Sequence, residues 1–297
     1  MLLSGRGVAL SVGASVLFAL LPGYVQLLAP LDGIQIFAQR VLWSIPLVLL
    51  LVFLTRQGAL LRETFARLRR EPLLVAAWPV AAVLIGVQWG LFLWAPLAGR
   101  MLEVSMGYFL LPLAMVLAGR LFYNERLRPL QQLAVACAVV GVLHELWRTQ
   151  AFSWLTLVTA LGYPPYFMLR RWMRLDALSG FVLEMLMLAP LAIWLILAYG
   201  PAGAFEGRTA LWLLVPGMAL IGTLAFAAMM ASSRLLPMGL FGILSYVEPV
   251  LLFAVALLVL GERFDAGQWL TYLPIWLAVL LVGWDSARLL RKQQLER

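Results

Sequence analysis

Four ionisable side chains stand inside long apolar runs of this chain: Arg40, Glu103, Glu184 and Glu248. A charge in hydrocarbon costs several kcal/mol unless it faces a cavity or a partner, so such residues mark solute or proton pathways. Glu248 is placed most tellingly, about 11 residues into its run and so near mid-membrane at ~1.5 Å per residue, beside Tyr246 and Pro249. A carboxylate there can exchange a proton, which makes Glu248, with Glu103, a candidate for proton coupling. Arg40 and Glu184 each lie about 5 residues into their runs, but from opposite ends, so they sit at opposite depths. Glu103 shares the depth of Arg40 and is the expected partner of its guanidinium. Tyr108, Tyr163, Tyr166 and Tyr246 add hydroxyls on aromatic bodies close to the same places. Such groups suit a pocket for an amphipathic solute, and equally suit plain packing between helices. These eight residues are the candidate substrate-binding or gating set.

The elements that must position them are membrane-spanning helices. Hydrophobic residues make up 64% of the 297 and charged residues 12%, about half the share usual in a soluble domain. A spanning helix needs ~20 apolar residues, and ten such runs follow one another near 7–28, 35–54, 72–94, 102–119, 129–146, 152–169, 179–199, 209–231, 238–260 and 267–286. They are too long for barrel strands and lack apolar/polar alternation. The first run ends in Leu28-Ala29-Pro30-Leu31-Asp32, unlike a signal-peptide cleavage site.

The net charge of +8 is distributed as a membrane protein distributes it, and no nucleic-acid partner is expected. Of the 22 Lys and Arg residues, 17 fall in alternate connections and tails: Arg6, the stretches 56–70, 120–128 and 170–174, Arg234 and the tail from Arg288. The other side has Arg100, Arg148, Arg208 and Arg263, with Arg40 inside a run. The positive-inside rule then puts both termini in the cytoplasm. Trp94, Trp147, Trp154, Trp172, Trp212 and Trp284 stand near run ends, as interfacial anchors do.

The chain also repeats itself. Asp32, Phe37, Arg40 and Pro46 are matched 144 positions later by Asp176, Phe181, Glu184 and Pro190. Pro79, Pro112, Glu125 and Arg126 are matched 137 positions later by Pro216, Pro249, Glu262 and Arg263. The expected domains are therefore two five-helix repeats, 1–150 and 151–297. Because five is odd, the second enters the membrane from the opposite face, an inverted repeat of the kind secondary transporters use. Pro22-Gly23 in the first run and Gly162-Tyr163-Pro164-Pro165-Tyr166 in the sixth are expected to interrupt their helices at matching places. Gly86 and Gly90 form a GxxxG that permits close helix approach. His144-Glu145 is expected as an interfacial pair. Cys137, alone of its type, is a small core residue.

One His and one Cys cannot build a His/Cys metal cluster, and neither HExxH nor a Walker-type GxxxxGK[ST] occurs. No cofactor, metal or enzymatic activity is expected.

Long motifs carry a family resemblance. Leu28–Gly33, Phe37-Ala-Gln-Arg40, Trp94–Pro112, Asn124-Glu-Arg126, His144-Glu-Leu146, Ala160–Arg171 and Tyr246-Val-Glu-Pro249 together resemble a RarD-type permease. That family belongs to the EamA branch of the drug/metabolite transporter superfamily. The resemblance runs end to end. It implies an all-α integral membrane protein of the bacterial inner membrane, with ten helices in two inverted repeats around a central cavity. It also implies that the fifth and tenth helices are peripheral, where a homodimer contact would form.

The expected function is secondary transport, read as export, of a small amphipathic metabolite or drug by alternating access. The small-molecule substrate and the membrane lipids are the expected partners. The alternative is a flippase for a lipid or lipid-linked headgroup, with Arg40 on a phosphate.

Overall fold

The computed structural model describes residues 3–199, 205, 208–258 and 266–295. Among these, every regular element is helical. In chain order they are α1 (Gly5–Val25), α2 (Gly33–Leu54), α3 (Gly58–Arg70), α4 (Pro72–Leu97), α5 (Met101–Tyr123), α6 (Pro129–Thr149), α7 (Trp154–Met173), α8 (Ala177–Tyr199), α9 (Leu211–Leu235), α10 (Met238–Leu244), α11 (Val247–Leu258) and α12 (Trp269–Leu295). Eight are long and apolar enough to cross a membrane: α1, α2, α4, α5, α6, α8, α9 and α12. The protein is a multi-pass membrane protein. The six tryptophans expected at run ends are all exposed, as side chains anchored at a bilayer surface would be. Glu262 and Arg263, expected opposite Glu125 and Arg126, lie outside the described residues, as do Arg297 and the end of the ninth run.

The repeated aspartates turn out to be helix caps. Asp32 accepts the Gln35 N–H at 2.9 Å while the Gln35 side chain accepts the Asp32 N–H at 3.0 Å, a capping box that starts α2. Asp176 accepts the Ser179 N–H at 2.8 Å and starts α8 in the same way.

Four elements differ from the sequence expectation. The sixth run is not interrupted, because α7 continues through Pro164 and Pro165 to Met173. A proline keeps a helical φ, so the helix can continue through it, at the loss of its own N–H bond and with its ring crowding the carbonyl one turn back; membrane helices tolerate this because neighbouring groups re-satisfy the freed carbonyls. Nor is the first run interrupted at Pro22-Gly23: α1 runs through both residues to Val25 and only then passes into a 3₁₀ turn over Gln26–Leu28. The ninth run is not one helix: it is divided into α10 and α11 at Ser245-Tyr246. The basic stretch after α2 is not a plain loop but α3, whose Thr64 and Leu68 are buried while Arg62, Arg69 and Arg70 are exposed. Such an amphipathic basic helix suits an interfacial position. Arg67 ends it with a pair to Glu71 at 2.8 and 3.1 Å, and that hydrogen bonding holds the Glu71 carboxyl below its ordinary value.

Two compact units are present. One comprises residues within 1–20, 102–164 and 231–297. Its principal pairing is α6 with α12, which run antiparallel: Gln131 meets Asp285 near one end and Glu145 meets Thr271 near the other. Alanines and β-branched residues make the seam, with Ala134, Ala138 and Val142 buried on α6 and Ile275, Ala278 and Val282 on α12. Polar clusters close both ends. Asp285 takes the Gln131 amide at 3.1 Å and pairs with Arg128 at 3.5 Å. Glu145 pairs with Arg148 at 2.6 Å and accepts the Thr271 hydroxyl at 2.6 Å. The Thr271 proton being spent there, His144 Nδ1, 2.9 Å from the same oxygen, is the donor. His144-Glu145 is thus a helix–helix joint rather than a merely interfacial pair.

The other unit comprises residues within 21–101 and 165–230. Here α2 and α8 pack antiparallel, with the Gln35 amide bonding the Tyr199 carbonyl at 3.0 Å. α4 joins them. Gly86 lies against the Leu188 side chain, so the GxxxG glycine does admit a close neighbour. Trp78 donates to the Leu183 carbonyl at 2.6 Å.

Gly141 is the tightest point of the α6–α12 seam, since a Cβ there would lie 2.5 Å from the Thr271 carbonyl oxygen. Gly141→Leu should lower stability by about 1–3 kcal/mol through overpacking. Gly283→Ala, whose Cβ would meet open space, should leave the melting temperature of the detergent-solubilised protein unchanged or slightly raised. Equal losses in both variants would refute a seam limited by Gly141.

Candidate functional site

The capped start of α2 sets the phase of its buried face, on which Phe37, Arg40, Val41 and Ser44 fall at helical spacing. Arg40 is buried, and its guanidinium lies 4.1 Å above the centre of the Trp89 ring of α4. A cation over an indole face in a dry setting is worth about 2 kcal/mol. α9 makes the other wall of this slot with Gly222, where a Cβ would stand 3.1–3.3 Å from the guanidinium. One turn further along α2, Ser44 accepts the Thr223 hydroxyl at 3.1 Å.

Trp89 meets Phe226 of α9 edge-on at 5.1 Å. Phe226 in turn touches Phe181 at 4.6 Å and Tyr166 at 6.4 Å between ring centres. Tyr166, on α7, carries its hydroxyl to Glu184 of α8, 3.1 and 3.0 Å from the two carboxylate oxygens. Arg170, one turn after Tyr166, completes the cluster with its Nε 3.3 Å from Glu184. Its Nη2 also donates to the Ala177 carbonyl at 3.1 Å, and the guanidinium lies against Gly180, where any Cβ would overlap it. Glu184 and Tyr166 are fully enclosed.

Of the candidate residues in the other unit, Tyr246 and Glu248 stand at the break between α10 and α11. Tyr246, wholly buried, donates to the Phe109 carbonyl at 2.9 Å. Glu248 follows in the first turn of α11, half-buried. The Tyr108 and Tyr163 rings are 6.2 Å apart. Glu103, in the first turn of α5, accepts the Thr156 hydroxyl on its backbone carbonyl at 2.8 Å, and Gly107 packs against Thr159.

Against this geometry the comparisons can be set. "Chloramphenicol-sensitive protein RarD" of Pseudomonas aeruginosa is 66% identical over 294 residues, covering 99% of this chain and 98% of that protein. The chain belongs to the RarD family. "Protein RarD" of Escherichia coli is 30% identical over 284 residues, covering 95% of each chain. An "Uncharacterized transporter" of Haemophilus influenzae is 36% identical over 281 residues, with 95% of this chain and 94% of that protein covered. A solved crystal structure has the same fold, with a TM-score of 0.71 at 18% identity over 95% of this chain and 97% of that one. No protein-family model matches the chain. As RarD-family relatives and transporters surround it, this protein is a transporter.

Sequence reasoning missed several members of the RarD-family interior. Arg170 was expected among the cytoplasmic charges, but α7 extends past it and buries it against Glu184. Its i+4 spacing from Tyr166 was the available signal. Trp89 and Phe226 were not singled out, although they are 137 positions apart, in phase with the repeated prolines.

Removing one member of a buried ion pair strands the other and costs about 3–5 kcal/mol, whereas replacing both with apolar side chains is often close to neutral. Arg170→Leu and Glu184→Leu should each lower thermal stability sharply in detergent. Arg170→Met combined with Glu184→Leu should recover most of the loss. A double variant as unstable as the sum of the single variants would show that neither residue depends on the other.

Proposed function

We propose that the protein is a secondary transporter that exports a small amphipathic metabolite or drug across the bacterial inner membrane by alternating access. Ten spans carry it: the eight long apolar helices, α7, and the divided α10–α11. Residues 1–150 and 151–297 are two inverted repeats, and both termini are cytoplasmic.

The observation that carries this reading is that repeat partners pack on one another reciprocally. Gly86 touches Leu188 and Thr223 touches Ser44; adding 137 to 86 gives 223, and adding 144 to 44 gives 188. Those are the two offsets of the sequence repeat, so the two contacts are images of each other. Trp89 and Phe226 meet, as do Phe109 and Tyr246, and both pairs are 137 apart. Self-contact between equivalent residues is expected beside a two-fold axis. The antiparallel course of α2 with α8 and of α6 with α12 supports inversion rather than simple duplication. Arg40, Glu103, Glu184, Glu248 and Tyr108, Tyr163, Tyr166 and Tyr246 are the proposed binding or gating residues. The helix break at Tyr246, just before Glu248, is the kind of discontinuity that transporters place at a solute or ion site. Glu248 and Glu103 are the proposed proton-coupling groups.

The test is efflux from proteoliposomes loaded with a bacterial metabolite extract and chloramphenicol, followed by mass spectrometry with and without a pH gradient. Selective loss of one chemical class, abolished in Arg40→Ala, is expected. Loss of no species under either condition would overturn transport of a soluble solute and favour the flippase. With the cargo in hand, Glu248→Gln should abolish the effect of the pH gradient. Gradient-driven transport that survives this change with its pH profile intact would remove Glu248 from the coupling.

A further inference from the structure

A cavity of about 610 Å³ lies between the end of α5 and the start of α6, lined by Arg120, Asn124, Glu125, Arg126, Leu127 and Gln132. Its charge depends on which of these groups are already engaged. Glu125 spends both carboxylate oxygens on the backbone of α10, accepting the Met238 N–H at 2.7 Å and the Gly239 N–H at 2.8 Å. Gln132 turns its amide to the Leu127 carbonyl at 3.0 Å. The nearby Asp285 is held by Gln131 and Arg128. Arg120 and Arg126, by contrast, are exposed, and no ion pair or hydrogen bond engages either guanidinium among the described residues. The cavity therefore presents two cations, and its one carboxylate is turned to a helix backbone.

Its position narrows the class of anion. The last turns of α5 expose Leu117, Leu121 and Phe122, and α6 exposes Leu133 and Val140. On membrane-spanning helices these are bilayer-facing side chains, and the cavity opens where that apolar surface ends. A ligand with an anionic phosphate head and hydrocarbon tails matches both halves of the surface. Guanidinium forks bind phosphate oxygens in pairs, and basic pockets at the ends of membrane helices suit anionic lipid headgroups.

We propose that this cavity binds the phosphate headgroup of an anionic phospholipid from the surrounding bilayer through Arg120 and Arg126, with the acyl chains lying along Leu121, Phe122 and Leu133. It is a lipid site at the membrane surface and does not require the transport reading to hold.

The test uses full-length protein in detergent. Thermal unfolding, followed by tryptophan fluorescence, is titrated with short-chain phosphatidylglycerol, with short-chain phosphatidylcholine and with inorganic phosphate. Phosphatidylglycerol should stabilise the protein at far lower concentration than either other probe. Arg120→Ala with Arg126→Ala should weaken its apparent affinity roughly thirtyfold, from two cation–lipid contacts. Arg120→Lys with Arg126→Lys, which keeps both charges but loses the paired guanidinium bonds, should fall between the native protein and the double alanine variant. Arg69→Ala with Arg70→Ala on α3, which removes the same charge elsewhere, should leave it unchanged. The proposal is overturned by an unchanged affinity in the double alanine variant, or by an equal loss in the α3 variant. Stabilisation by inorganic phosphate at matching concentration would equally overturn it, by assigning the site to a soluble ion.

Discussion

Hydrocarbon offers no hydrogen bonds and no screening, so every polar group inside a spanning helix has to be answered by the protein itself. Most features of this interior follow from that demand. Glu184 is answered by Arg170 and the Tyr166 hydroxyl, and Arg170 is answered again by the Ala177 carbonyl. Arg40 lies on the face of Trp89. Asp285 and Glu145, at opposite ends of α6 and α12, are each met by an arginine and a neutral side chain. Because most of these answers come from a second helix, the polar groups join helices within each unit as well as being tolerated there.

The same demand explains the distribution of small residues. A guanidinium against α8 is possible because residue 180 is glycine, and a guanidinium against α9 is possible because residue 222 is glycine. At Gly86 and Gly141 the close neighbour is another helix. In a bilayer, where apolar side chains gain nothing by leaving lipid for protein, close backbone approach and interhelical hydrogen bonds supply the association that burial supplies in water. The α6–α12 seam, with Gly141 and three alanines along its length and polar groups at both ends, combines the two.

The proposed mechanism and the lipid site make different uses of this architecture. Transport would exploit the enclosed charges, whose partners lie on separate helices and can be exchanged when helices move. The lipid site would exploit the surface, where Arg120 and Arg126 are left to face whatever lies outside. Glu125 sits beside that surface and grips the start of α10, so an occupied headgroup site would adjoin one end of the divided helix.

Much of the fold was legible in the residues, because hydropathy reports directly on bilayer solubility. The run lengths marked the spans, the tryptophans marked their ends, and Asp32 and Asp176 marked two helix starts that a cap then satisfied. The prolines were less legible. Pro164-Pro165 leaves α7 whole, while the division of α10 from α11 falls at Ser245-Tyr246, four residues before Pro249 is reached. The charges in the runs could be read one by one, since each violates its local environment. Their partners could not, because partnership depends on helix rotation and on helices distant in sequence. Arg170 read as a loop charge until α7 was seen to carry it inward, and Trp89 had no mark beyond its phase with Phe226. The sequence alone determined that this chain lives in a membrane, roughly where it crosses, and which residues would be costly there. The tertiary structure decided how each cost is met, because that depends on which helices lie side by side.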